Sequence, residues 1–110
     1  MAIKATSIGL VRTWELVSTA LDTLNDVSDV AEGGIANFLG TIYVITSNVP
    51  NMTIEVQESP DNSNWVQITS EAITDNVAYR IAQPFPYLRI KITAHSNGQI
   101  DSIFMTGMVQ

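Results

Sequence analysis

The sequence contains no cysteine. No disulfide can staple the fold, and no thiolate can hold a metal or act as a nucleophile. Histidine is almost absent as well. His95, beside the turn-forming run "HSNG", is the only one. A two-histidine metal site is therefore excluded, and a serine triad built on His95 would need a nucleophile elbow of the G-x-S-x-G kind, which is missing. An exposed turn histidine is the expectation, with no metal, no cofactor and no enzymatic activity. Positive charge is scarce: five basic residues face eleven acidic ones, for a net charge of −6. Lys4, Arg12 and Arg80 are scattered, and only Arg89 and Lys91 lie close together. Neutralising phosphates requires basic residues gathered on one face, so direct nucleic-acid binding is not expected. Long apolar runs are lacking too. The longest, "IANFLGTIYVIT", has 12 residues, too few for a membrane-spanning helix, and no membrane partner is expected. "MAIKATSIGL" lacks the apolar core of a signal peptide, so the chain is expected to begin at or near Met1.

What is present is period-two alternation. A chain of 110 residues makes one domain with one modest core. "MTIEVQ" sets Met52, Ile54 and Val56 against Thr53, Glu55 and Gln57, which predicts a strand with one buried face. "WVQIT" sets Val66 and Ile68 against Trp65, Gln67 and Thr69. "NVAYRIAQ" places Val77, Tyr79 and Ile81 together. After Pro84 and Pro86, which suit a strand entrance or an edge, Leu88, Ile90 and Ile92 alternate with Arg89, Lys91 and Thr93. "HSNG" predicts a turn with Gly98 at positive φ, and "QIDSIFMTGMV" a closing strand with a bulge at Gly107. Phe38 to Thr46 reads as a strand covered on both sides or central, with a bulge at Gly40. Residues 13–30 admit two readings. Trp14, Val17, Leu21 and Leu24 recur at helical spacing, whereas Trp14, Leu16, Ser18 and Ala20 would line one face of a strand. The Thr and Val content and the missing N-cap box favour a strand over 13–21. Irregular structure or a short helical turn is expected over 22–33. About seven or eight short strands separated by turn clusters predict an all-β fold, an antiparallel β-sandwich of jelly-roll or discoidin-like type.

"ESPDNSNW", residues 58–65, lies between two of these strands. Pro60, Asp61, Asn62 and Asn64 are turn formers, so a hairpin corner is expected. A calcium loop is not, because the glycine and glutamate that should follow are absent. Asp22, Asp26, Asp29 and Glu32 form an acidic series without ligand spacing, and a solvated loop is the expectation. Glu55 and Glu58 fall on opposite faces of a regular strand, so they would not flank one scissile bond. "EGG" at 32–34 lacks the lysine and the strand–helix context of a phosphate cradle. "NMT" at 51–53 fits a glycosylation pattern that matters only in a secreted eukaryotic protein. Trp14 and Trp65 remain as residues that either seal the sandwich or anchor a partner.

Ser59, Asp61 and Trp65, followed at a distance by Tyr87, Leu88, Arg89 and Ile90, resemble the two-part pattern of discoidin-like (coagulation-factor type C) β-sandwiches. There a strand ends in Ser-x-Asp-Gly-x-x-Trp, and a later strand carries aromatic, aliphatic, Arg and aliphatic residues. Here Asn62 replaces the glycine, the chain is shorter, and the flanking cysteines of that family are missing. The pattern also resembles small bacteriophage virion proteins, including capsid decoration (cement) proteins and tail-associated sandwich modules. The resemblance implies a sandwich that binds and carries over no catalytic residue.

The expected function is a viral structural protein, a decoration protein on the capsid exterior. It would bind the major capsid protein or other virion proteins and form a homo-oligomer, a trimer by analogy. Residues 1–10, with Ile3 and Ala5, would serve as an interaction arm or edge strand. The alternative is a carbohydrate-binding or tail-associated adhesion module. It would use Trp65 or Tyr87 as stacking platforms, with Asp61, Asn62 and Asn64 reading hydroxyls. The candidate interaction residues are thus Ile3, Ala5, Trp14, Asp61, Asn62, Trp65 and Tyr87.

Overall fold

The computed structural model describes residues 2–4, 6–8, 11–33, 38–82 and 86–109. Among these the chain is all-β. Its strands are β1 (Ala2–Lys4), β2 (Thr6–Ile8), β3 (Val11–Glu15), β4 (Val30–Glu32), β5 (Phe38–Ser59), β6 (Val66–Ile73), β7 (Val77–Ala82) and β8 (Tyr87–Val109). β5 and β8 have 22 and 23 residues and pair antiparallel from Phe38↔Val109 to Ser59↔Tyr87. The first half of β5 also pairs with β7 and its second half with β6. β8 pairs with β4 near its start and with β3 near its end. β2 joins β3, and β1 lies parallel to β4. Each half of the long β5–β8 ribbon is thereby widened: β7-β5-β8-β3-β2 in one half and β6-β5-β8-β4-β1 in the other.

A flat strand of this length would reach roughly 70 Å. The longest dimension of the molecule is 38 Å, so the ribbon bends back. One hydrophobic cluster joins the two halves: Trp14, Ile42, Ile103 and Met105 from the first pack with Ile54, Val56, Ile90 and Ile92 from the second. Burying each of these side chains contributes about 1.5–3 kcal/mol. Met52, Ile54, Val56, Leu88, Ile90 and Ile92 are all buried, as the alternation in "MTIEVQ" and "YLRIKIT" predicts, but Gln57 on the opposite face is buried as well.

Four expectations are corrected. First, "HSNG" is no turn. Residues 95–98 continue β8, and Gly98 (φ 81) serves the bend instead of a reversal. Second, Gly40 and Gly107 mark no bulge; they face each other in register across β5 and β8. The register slips further along, at Ile45/Thr46, between Ser47 and Met52, and at Thr53/Ile54, where the ribbon must bend. Third, the strand expected over 13–21 stops at Glu15; of the two alternatives for 22–33 the irregular one holds as far as Asp29, after which Val30–Glu32 is β4. Thr23 to Asp26 make one reverse turn, closed by the Asp26 amide donating to the Thr23 carbonyl at 3.1 Å, with Asn25 at φ 73. The segment follows β8 around the bend through spaced bonds, Leu16 to Ile103, Leu21 to Ile100, Asn25 to Ile92 and Ser28 to Ile90. Contacts that skip along a curved partner bury residues at neither period two nor period 3.6. Fourth, Val66 is 60% exposed. It faces Glu58 at the open end of the sheet, and a register shift on the β5–β6 ladder turns Ile68 toward the core instead.

Candidate functional site

Two corners of the β5–β8 ribbon carry the irregular chemistry. The first is the hairpin between β5 and β6. The Asp61 carboxylate organises it. Oδ1 accepts the amides of Ser63 (2.9 Å) and Asn64 (2.8 Å) and the Ser59 hydroxyl (3.0 Å), while Oδ2 accepts the Asn64 side-chain amide at 2.6 Å. The Asp61 amide in turn donates to Ser59 Oγ at 3.2 Å. This is an Asx-type turn, and Asn62 takes the left-handed conformation it needs (φ 61). The backbone amides of Asn64 and Ser63, then the two side chains, hold the Asp61 carboxyl well below the usual carboxylate range.

The chain leaves this turn at Trp65, whose ring lies under the Arg89 guanidinium, 4.2 Å from it. Arg89 Nε donates to Gln57 Oε1 at 2.8 Å, and Gln57 Nε2 donates to Glu55 Oε1 at 3.0 Å. Gln57 and Ser59 are buried on this outer face, and burial shifts the guanidinium of Arg89 downward. The two parts of the discoidin-like pattern are thus in direct contact: the tryptophan that follows the turn stacks on the arginine of the later strand.

The second corner is the bend itself. Between Ser47↔Gln99 and Asn51↔Asn97, β5 has three residues, Asn48, Val49 and Pro50, where β8 has only Gly98. Asn48 (φ 62) and Val49 (φ 53) are both left-handed. Asparagine tolerates that region; a β-branched residue there is a true outlier. Long-range bonds fix it. Asn97 Nδ2 donates to the carbonyls of Asn48 and Val49, both at 3.1 Å, and Asn48 Nδ2 donates to Gln99 Oε1 at 3.4 Å. His95 Nε2 donates to the Gly98 carbonyl at 2.8 Å. A Cβ on Gly98 would stand 2.4 Å from Pro50 Cα, so only glycine fits beneath the bend. At the apex Val49 is 81% exposed.

The sequence-derived candidates divide as follows. Trp14 is 1% exposed and sits in the core. As the residue of β3 opposite Met105, it seals the first half of the sheet and offers no contact surface, which corrects its place among the interaction residues. Ile3 pairs through its backbone with Ala31, so β1 is an edge strand of its own sheet. Ala5 lies outside the described residues. Asp61 and Asn64 are engaged with each other, while Asn62 is exposed beside them. Trp65 and Tyr87 are half-buried on the outer face of the second half. Glu55 and Glu58 do not converge. Among the described residues no group of three or more His, Asp or Glu side chains is placed to hold a metal ion. The Val49 corner was missed. Its signal was "NVP" at 48–50 together with "NG" at 97–98, two turn-like clusters that meet only across the ladder.

No family model and no curated protein matches the chain. Among solved structures it is similar to PirA, at 14% identity over 96% of this chain and 97% of that one with a TM-score of 0.43. It is also similar to the Yersinia pseudotuberculosis-derived mitogen, at 14% identity over 91% and 86% with a TM-score of 0.44. Likeness at this level bears on neither activity nor partner.

Proposed function

We propose that the chain works by contact with other proteins, as a decoration protein on the exterior of a phage capsid that stabilises the shell without chemistry of its own. The observation that carries this reading is the Val49 corner. A β-branched side chain is held in a disfavoured conformation by a web of bonds from β8, and that web presents it to solvent instead of burying it. An exposed apolar group fixed in place in advance is what a protein partner's pocket rewards, because little freedom is lost on docking. The acidic balance of the chain suits an outer surface, away from packaged nucleic acid. A second apolar feature lies at the open end of the sheet, a cavity of about 360 Å³ lined by Glu58, Ser59, Pro60, Val66 and Pro86.

The alternative, a glycan-binding module on Trp65 and Tyr87, has less support. Asp61 and Asn64, which would read hydroxyls, already satisfy each other, and Arg89 covers one face of Trp65.

The test is rebinding of purified protein to capsids stripped of it. Wild type is expected to rebind. Val49→Asn, which suits the left-handed backbone, is expected to keep its thermal midpoint or raise it and to lose rebinding. Undiminished rebinding by Val49→Asn would remove the corner from the interface. Failure of wild type to rebind, with a Trp65 fluorescence shift on adding polysaccharide, would replace this reading by the glycan one.

A further inference from the structure

We propose that Asn97 is a site of spontaneous deamidation, and that its conversion unlocks the bend of β5. Eight asparagines are present, and Asn97 is the only one followed by glycine. The reaction is intramolecular. The backbone nitrogen of Gly98 attacks Cγ of Asn97; the new N–Cγ bond closes a succinimide, and the Cγ–Nδ2 bond breaks to release ammonia. Water then opens the ring to aspartate or isoaspartate at position 97. No oxidant, metal or enzyme is required. A side chain on the following residue hinders this attack, and Gly98 has none.

The local structure leaves the pair accessible and ties the leaving group to the bend. Asn97 is exposed, and Gly98 stands between the ladder pairs Asn51↔Asn97 and Ser47↔Gln99, with no registered partner of its own. The leaving group is also the clamp. Nδ2 of Asn97 is the atom that donates to both the Asn48 and the Val49 carbonyls. Hydrolysis replaces this double donor by a carboxylate facing two carbonyl oxygens, which turns two attractions into two repulsions. The isoaspartate product also adds a backbone carbon to β8 at the residue paired with Asn51. The corner that holds Val49 must then relax. In the folded chain the two bonds restrain the amide, so conversion runs through transient opening of the bend. This chemistry is independent of what partner the corner meets.

The experiment compares folded and urea-unfolded protein incubated in mildly alkaline buffer, with peptide mapping by mass spectrometry. Position 97 is expected to convert before the other seven asparagines in both states. In the folded state it should be slower by on the order of tenfold, the factor two ordinary hydrogen bonds together supply. The product is read separately in Asn97→Asp. Amide hydrogen exchange should accelerate at 48–51 while the Ile42–Val44 stretch stays protected, and Asn97→Ala should show a smaller change in the same place. Asn97→Gln, which closes a larger imide ring far more slowly, should keep position 97 unmodified. Gly98→Ala is not a usable control, because it strains the backbone on its own. Earlier conversion of another asparagine in the folded protein would overturn the site. Unchanged exchange at 48–51 in Asn97→Asp would overturn its link to the bend.

Discussion

The hairpin corner at 59–65 and the bend corner at 47–51 solve similar problems with similar residues. Both are rich in Ser, Asn and Pro, and both use left-handed backbone at a non-glycine position. They differ in where their bonds come from. Every bond that shapes the hairpin spans two or three residues and converges on Asp61. The bonds that fix Asn48 and Val49 at the bend span 48 to 51 residues and arrive from β8. A locally closed turn forms as soon as its own residues meet. A corner closed by a distant strand exists only when the ladder is in place, and it fails when either strand is altered.

Gly98→Ala tests that dependence most severely. A left-handed alanine costs about 1–2 kcal/mol, and displacing Pro50 adds about 1–3 kcal/mol as an overpacked contact. A total loss of about 2–5 kcal/mol is expected in urea unfolding. The hairpin counterpart is Asn62→Gly, a left-handed position open to solvent, where a change within about 0.5 kcal/mol is expected. Equal effects at the two sites would break the contrast between them.

How much was legible follows the same division. Alternation in residues 52–57 and 87–93 predicted the buried faces because each strand meets the core at regular intervals, and the hairpin was legible because Pro60, Asp61 and Asn62 carry its geometry within themselves. The bend was not. "TSNVPN" and "HSNG" each look like a chain reversal, and only their register across the β5–β8 ladder shows that together they make one kink in two continuous strands. Residues 13–30 admitted two readings for a related reason, since from Leu16 to Asp29 the spacing is set by the curvature of β8 and not by a period of its own. Trp14 and Trp65 could not be separated by composition. Trp14 faces Met105 in the core, whereas Trp65 leaves the turn onto the outer face and meets Arg89.

Arg89→Met sharpens the comparison at intermediate size, because it reaches the hairpin corner through a long-range contact, the stack on Trp65. It removes the stack on Trp65, about 0.5–1 kcal/mol at an exposed site. It also takes away the donor to Gln57 Oε1, and a buried acceptor left unsatisfied costs about 1–3 kcal/mol. A loss of about 1.5–4 kcal/mol is expected, together with a changed Trp65 emission, while hydrogen exchange at Ser63 and Asn64 should stay slow because the Asp61 bonds are local. Loss of protection at those two amides would mean that the turn depends on β8 after all.

The smallest effect, and the one that isolates the hairpin from the ladder, is in acid. Asp61 has its pKa depressed in the folded protein by hydrogen bonds to its ionised form. Its contribution is therefore fully present above the unfolded value, about pH 4 for aspartate, and is lost as pH falls through the lower folded value. Asp61→Asn keeps an acceptor oxygen but has no charge to lose. At pH 7 the variant should melt below wild type. The gap should close steadily as pH is lowered from about 4, because wild type alone gives up the ionised turn. Proton uptake at a fully exposed carboxylate leaves the Asn97 amide and its acceptor carbonyls unchanged, so the amides of Asn48, Val49 and Asn51 should exchange alike in both proteins across this range. A gap that stays constant from neutral pH into strong acid would show that the Asp61 charge does no more than a neutral amide in closing the turn.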